Sequence, residues 1–456
     1  MSGVADAIAA TVDPLLREAL LFAGTMFAIG GIDDLVVDLA YLWRRRRDLA
    51  LADLGRGAAS PITIFVGAWD EFRVIGAMLR TALERLDHPD YRIFVGCYPN
   101  DRRTIAAVRN VAAVDDRVRL VIGAVDGPTT KAHNLNSLWR ALRASDIAEG
   151  RQTRAIVIHD AEDIVHRDEL TVVDALLDTH ALVQLPVVPL IDRSARMVSG
   201  HYADEFAAAH GMAMVVRSRL GAAIPLAGVG CAIRMDALIA LAGEQEAPFE
   251  PSSLTEDYEL GLRAAALGFR GCFARVRGPN GELVAVRAYF PDTVRAAVVQ
   301  KARWMTGIAL QGWDRIGWGG RWRAAELWMR MRDRRAPLAV VALAAGYISL
   351  VAWAVSMVAH GIAGTPIPAT GPVLAFLIVA NGALLAWRLV VRAAMTTREH
   401  GWREGVVAIP RAIVGNLIAL LAARRAVVRY VGLLLGRSPT WDKTRHHFPP
   451  LRQPPA

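Results

Sequence analysis

The sequence predicts an α/β domain set between membrane-spanning helices, and three observations carry that expectation. Short β-rich apolar runs alternate with helical stretches from about residue 61 to residue 291, the pattern of a sheet whose faces are covered by helices. Long apolar segments flank that region on both sides. Arginines crowd beside those segments, where basic residues face anionic headgroups on the cytoplasmic side. A chain of 456 residues has room for two or three domains. An apolar content of 54% and a mean hydropathy of +0.28 point to membrane segments. The net charge of +9 and pI near 9.9 are read as membrane-proximal, so no nucleic acid is expected as a partner.

In chain order, Asp13-Pro14 reads as an N-cap and first helical turn, opening a helix that continues to Trp43. Its uncharged part is too short to cross roughly 30 Å of hydrocarbon, so Asp33 and Asp34 are expected at the interface or against a partner helix. Arg44 to Arg47 place that end in the cytoplasm, which makes residues 1–47 an N-terminal transmembrane helix with a basic flank. A cleaved signal peptide competes, but a basic leader and a small-residue cleavage site are missing. Residues 48–310 form the predicted cytoplasmic α/β domain. Its runs 62–66, 92–96, 118–122 and 155–158 read as mostly buried parallel strands, and such sheets bind ligands beyond their carboxyl ends. Residues 311–336, with Trp313, Trp318, Trp322 and Trp328 among charges, read as an interfacial amphipathic segment. Residues 337–391 read as a transmembrane hairpin with spans at 337–361 and 367–387. Residues 392–448 read as a basic amphipathic segment on the cytoplasmic face, with a fourth span over 406–435 as the alternative. Residues 449–456 read as a flexible tail. Cys97, Cys231 and Cys272 lack CxxC spacing and suggest neither a disulfide framework nor a zinc site.

Three motifs follow one another through the α/β region: His159-Asp160-Ala161-Glu162-Asp163, Ser253-Leu254-Thr255-Glu256-Asp257 and Gln300-Lys301-Ala302-Arg303-Trp304. Asp160 and Glu162 follow an apolar strand, and on an extended backbone they point one way while Asp163 points the other. Hard oxygen ligands there suit Mg²⁺ or Mn²⁺; a solvated acidic loop is the plain alternative. Asp257 lies in the first turn of a helical pattern, where it either caps the helix or serves as a general base. Gln300, Arg303 and Trp304 share one helical face, fit for an anion and a stacked ring, or for anchoring at a membrane interface. The chain has only three lysines, Lys131, Lys301 and Lys443, each inside a dense local motif.

In this order the motifs resemble those of family-2 inverting glycosyltransferases of the GT-A fold, especially the membrane-embedded, cellulose-synthase-like group with its D, DxD, TED and QxxRW series. The resemblance covers roughly residues 60 to 310, and Glu162 departs from the family's second Asp. It implies a Rossmann-like GT-A domain, with Asp160 and Glu162 holding Mg²⁺ or Mn²⁺ on a diphosphate. It also implies Asp257, beside Glu256, as the catalytic base. Trp69, Asp70, Glu71, Asp101, Lys131 and Arg303 are expected at a nucleotide-sugar donor, UDP-linked, and Gly228, Gln300 and Trp304 at the acceptor. Tyr98-Pro99-Asn100-Asp101 and Trp441-Asp442-Lys443-Thr444-Arg445-His446 further resemble the NfrB-like, phage-adsorption-protein branch of bacterial inner-membrane enzymes. That branch implies a multi-pass inner-membrane protein that transfers a sugar to a growing surface polysaccharide or a lipid-linked acceptor, with an export partner protein. A catalytically silent membrane scaffold or receptor subunit of an export system is the alternative.

Overall fold

The computed structural model describes residues 2–43, 48–55, 57, 59–319, 323–437 and 447–448. The Arg44 to Arg47 flank, Trp322, the Trp441 to His446 motif and the tail at 449–456 lie outside these residues.

The strands that position the site are β1 (Ile62–Gly67), β2 (Tyr91–Cys97), β3 (Val118–Ile122), β4 (Ala155–His159), β5 (Leu182–Gln184), β6 (Val187–Leu190), β7 (Cys231–Arg234), β8 (Gly271–Phe273) and β9 (Val286–Tyr289). The main sheet has the order β3-β2-β1-β4-β7-β5-β8, parallel except for β7, which runs against both neighbours. β6 and β9 form a separate parallel pair. β1, β2 and β4 are buried along their whole length, as expected for strands covered on both faces. β3 differs from the expected buried strand because it forms the sheet edge, and only Val118 in it is buried. β5, β7 and β8 carry no alternation long enough to read in sequence, being three or four residues each. From β1 the chain winds to β2 and β3 and then reverses to β4. That reversal leaves a crevice beyond the carboxyl ends of β1 and β4.

The helices used below are α1 (Ser2–Trp43), α2 (Arg102–Ala112), α3 (Lys131–Glu149), α4 (Glu169–Leu176), α5 (Val198–Ala208), α6 (Glu256–Ala266), α7 (Val294–Met305), α8 (Ala324–Arg334), α9 (Ala336–Ala363), α10 (Pro372–His400) and α11 (Trp402–Leu434). Among the described residues, α1, α9, α10 and α11 are long and apolar enough to cross a membrane. The expected helix start at Asp13-Pro14 is corrected: α1 already runs from Ser2, and Pro14 lies inside it. Asp13 does not cap because its carboxylate is occupied by α9, accepting from Ser356 Oγ at 2.6 Å and meeting His360 Nε2 at 2.9 Å. Asp33 and Asp34 do face a partner, meeting Arg332 and Arg335 where α8 leads into α9. The second helix of the hairpin starts later than expected, at Pro372, where a proline suits the first helical turn. It then continues past Trp387 to His400.

Arg411, which interrupts the apolar pattern of α11, turns into the protein. It is fully buried, with Asp204 of α5 and Glu404 both at 3.0 Å. Arg392 of α10 meets the same Asp204 at 3.1 Å. Gly200 makes room, since a Cβ there would lie 1.9 Å from the Arg411 guanidinium. Further along, Ala422 and Ala426 of α11 pack on Ala302 of α7, and Tyr430 donates to Asp314. Breaking a buried ion pair costs far more than removing a surface charge. R411M is expected to lower the unfolding free energy by about 3 kcal/mol, and R424A, at an exposed position, by less than about 0.5 kcal/mol. Denaturant titration in detergent measures both, and equal effects would contradict this account of the helix.

Candidate active site

The crevice opens into a cavity of about 670 Å³, within the roughly 300–1,000 Å³ usual for small-molecule sites. Of the residues marked by sequence, Glu71, Lys131, Asp160, Glu162, Glu256, Asp257, Gln300, Arg303 and Trp304 line it. Trp69, Asp70, Asp101 and Gly228 belong to the loops around it.

The loop after β1 is stapled to the start of α2. Asp70 adopts φ +53°, a left-handed conformation that Asp tolerates better than most residues, and its amide donates to Asp101 Oδ2 at 2.5 Å. Asp101 Oδ1 accepts from Thr104 N at 3.2 Å, capping α2, and Glu71 N donates to Thr104 Oγ1 at 3.0 Å. Asp101 therefore uses both oxygens on backbone amides and acts on the loop. Trp69 meets Tyr98 edge-on, with ring centres 5.2 Å apart. Gly127 fits beneath both rings, for a Cβ there would lie 2.6 Å from Trp69. Asn100 clamps the Gly127 backbone through two bonds of 2.8 and 2.9 Å.

β4 ends at His159, and the next residues form a turn closed by Asp163 N donating to Asp160 O at 3.3 Å. Strand alternation stops where the turn begins, so the direction of Asp163 is set by its own bonds. All three line the cavity. Asp163 folds back so that its Oδ2 accepts the Asp160 amide at 2.9 Å. His159 lies beneath, fully buried, with Nδ1 3.0 Å from Asp163 Oδ2 and Nε2 2.8 Å from Glu169 Oε1.

Lys131 is the first residue of α3. Two asparagines orient that helix: Asn134 donates to Gly96 O at 3.0 Å, and Asn136 exchanges bonds of 2.6 and 3.1 Å with the Phe249 backbone. The Lys131 ammonium donates to Asp160 Oδ1 at 2.5 Å and to Gly228 O at 3.1 Å. Gly228 has φ +75°, and a Cβ on it would lie 2.6 Å from Asp257 Oδ2 and 3.4 Å from Lys131 Nζ, so glycine lets the two charges close in. Burial opposes the lysine's charge, but Asp160, Glu256 and Asp257 prevail and hold its pKa above the ordinary value. Burial and then Asp257 push Glu256 up to about 7, with Lys131 opposing. Burial also raises Asp257, against the pull of Lys131 and Arg303. Thr255 is the N-cap of α6, so Asp257 lies inside the first turn as its second residue, with Oδ1 accepting the Tyr258 amide at 2.8 Å and Oδ2 facing Gly228.

On α7, Gln300, Arg303 and Trp304 face the cavity, and Lys301 turns aside to bond Glu205 of α5. Trp304 sits in an aromatic cluster with Tyr202, Phe206 and Phe290, ring centres 6.1 to 6.4 Å away. α7 passes into a π-helical turn, Thr306–Gln311, whose Gly307 packs against Thr255; such turns concentrate at functional sites. Gln300 Oε1 and Thr255 Oγ1 are buried without a hydrogen-bond partner among the described residues. Phe206, His210, Phe290, His447 and Phe448 also line the cavity and carried no motif signal. A separate group outside the cavity, His166, Asp168 and Glu282, offers ligand atoms within 4.8 Å of one another.

The raised Glu256 pKa has a sign that can be checked. Its stability contribution is complete below the ordinary value of 4.5 and is lost as pH rises through about 7. E256Q is therefore expected to melt higher than the unchanged protein at about pH 8 and close to it at about pH 4.5. A melting series across that range reads the gap; a constant gap would refute the assignment.

Residues 59–307 match the family described as glycosyltransferase like family 2. The chain is 31% identical, over 98% of its length, to bacteriophage adsorption protein B of Escherichia coli K12, and equally so to bacteriophage N4 adsorption protein B of Escherichia coli O157:H7. It spans 64% of the length of these relatives. Among solved structures, the mannosyltransferase PcManGT from Pyrobaculum calidifontis, in complex with GDP-Man and Mn²⁺, superposes with a TM-score of 0.53 at 19% identity, covering 86% of this chain and 99% of that one. That likeness shows a shared GT-A fold. Since the family match takes in more than half of the chain, including all three motifs and most of the cavity's lining, the chain belongs to glycosyltransferase family 2.

Proposed function

We propose that this protein transfers a sugar from a nucleoside diphosphate, UDP in our reading, to a growing glycan or lipid-linked acceptor at the cytoplasmic face of a bacterial inner membrane. One observation carries the reading: half-buried Lys131 bonds Asp160 of one motif and lies within the field of Asp257 of another, in one cavity. A hydroxyl held near Asp257 Oδ2 gives up its proton to that carboxylate as its oxygen bonds to the anomeric carbon. The bond from that carbon to the diphosphate oxygen breaks, and its electron pair leaves with the diphosphate. Lys131 and Arg303 offset the charge that develops there. A single displacement of this kind inverts the anomeric centre, in keeping with the family resemblance.

Asp160 and Glu162 provide hard oxygen ligands beside the crevice, a donor set that fits Mg²⁺ or Mn²⁺, and PcManGT was solved with Mn²⁺. Such an ion would neutralise diphosphate charge. Glu71 and the rings of Trp69 and Tyr98 suit a nucleobase, with Asp70 and Asp101 shaping that loop. Gln300 Oε1 and Thr255 Oγ1, buried without partners among the described residues, suit the hydroxyls of an acceptor. Gly228 supports close approach, and Trp304 offers a face for sugar stacking.

For the membrane, α1, α9 and α10 are read as spans and α11 as a helix lying on the cytoplasmic face. Arg411 of α11 bonds Asp204 of the catalytic domain and Tyr430 bonds Asp314 just beyond its end, some 28 Å apart along the helix at about 1.5 Å per residue. A spanning helix would leave the domain over that distance. The opposite face of α11 exposes Val406, Ile413, Leu417, Leu421, Val428 and Val431, an apolar stripe suited to lipid.

The test is release of nucleoside diphosphate by purified protein from a panel of nucleotide sugars with Mg²⁺ or Mn²⁺. D257N is expected to reduce turnover by about 10²- to 10⁴-fold while melting temperature and UDP binding hold. Absence of turnover with every donor would favour the silent scaffold instead.

A further inference from the structure

We propose that His159 is a positioning residue for the divalent ion: bonded at both ring nitrogens, it fixes the 160–163 turn in the shape that presents Asp160 and Glu162. The inference rests on the reading above, in which those two carboxylates hold Mg²⁺ or Mn²⁺. His159 itself touches neither ion nor substrate.

The bonds form one continuous chain. Glu169, fully buried at the start of α4, meets His159 Nε2 at 2.8 Å, and His159 Nδ1 meets Asp163 Oδ2 at 3.0 Å. The same Asp163 oxygen accepts the Asp160 amide at 2.9 Å, and the Asp163 amide returns to Asp160 O. Both ring nitrogens thus face carboxylate oxygens, and the turn's two ends are tied to each other and to α4. Take away the ring and Asp163 loses its side-chain partner, leaving the turn free to swing toward the cavity it lines.

Packing alone does not account for a histidine here. Ala155 and Val157 project from the same side of β4 into the apolar core, and a further apolar side chain would continue that face. Burying an imidazole and two carboxylates carries a desolvation cost that hydrogen bonds only offset. The network makes sense as support for the metal-facing residues beside it, since outer partners of ligands typically govern metal affinity by about 10- to 100-fold.

The two amide substitutes for histidine separate the roles of its nitrogens. H159N keeps a donor where Nδ1 reaches Asp163; H159Q keeps one where Nε2 reaches Glu169. With full-length protein in detergent and UDP present, Mn²⁺ binding is read from the free-ion electron paramagnetic resonance signal, and melting temperature is read beside it. H159Q is expected to weaken Mn²⁺ binding by about tenfold or more, and H159N to stay within about threefold of the unchanged protein, though both melt earlier. D163A, which removes the acceptor from the other side, is expected to match H159Q and serves if that variant does not fold. Equal Mn²⁺ affinity in H159Q, H159N and the unchanged protein would overturn the proposal, as would losses that simply track melting temperature. Unchanged protein that binds no Mn²⁺ would overturn the functional reading and this inference with it.

Discussion

Five acidic residues, Asp160, Glu162, Asp163, Glu256 and Asp257, line one cavity, and like charges so close repel one another. The Lys131 ammonium is the interaction that lets them share it. Much of the domain serves to deliver that single cation: the two asparagines that orient α3, the glycine at 228 that opens space beside it, and the strand order that brings α3 and β4 to the same crevice. Arg303 on α7 adds a second positive charge near Glu256 and Asp257. Even with these opposing charges in place, burial raises the pKa of Asp163, Glu256 and Asp257.

A second set of buried charges links the cavity to the long helices. Asp204 lies on α5 and bonds Arg392 of α10 and Arg411 of α11. Two residues on, Phe206 forms part of the cavity wall, and the helix continues through the π-helical turn Ala209–Ala213, which carries His210 into that wall. One element thus bears both the anchor to the apolar helices and the aromatic side of the site. The Lys301–Glu205 bond adds a tie from α5 to α7, the helix that carries Gln300, Arg303 and Trp304.

The parallel half of the sheet was legible because its strands are continuous apolar runs of five or more residues, and β1, β2 and β4 fall within a residue or two of their expected limits. The three motifs were legible because acids after an apolar strand, and a Gln-Arg-Trp face on a helix, are local patterns. The bonds of Asp163 to His159 and to the Asp160 amide were not legible, because alternation does not extend past the end of β4 into a turn. Asp101 looked like a ligand, and its two oxygens serve the backbone amides of Thr104 and of Asp70, the latter 31 residues away, a pairing that only the folded sheet creates. His447 and Phe448 reach the cavity from far along the chain, with no spacing to announce them. Arg411 looked like an interruption in α11 because its partner Asp204 lies on a different element.

α11 runs along the flank of the catalytic domain from Arg411 to Tyr430. With its apolar stripe on the bilayer, as proposed, the cavity is held at a fixed height above the lipid and cannot tumble away from it. The lipid-linked acceptor proposed above would then search for the site in two dimensions while a dissolved donor arrives in three. The governing quantity for the acceptor becomes its density per unit area of membrane, so diluting it with inert lipid slows encounter even when its total amount in the vessel is unchanged.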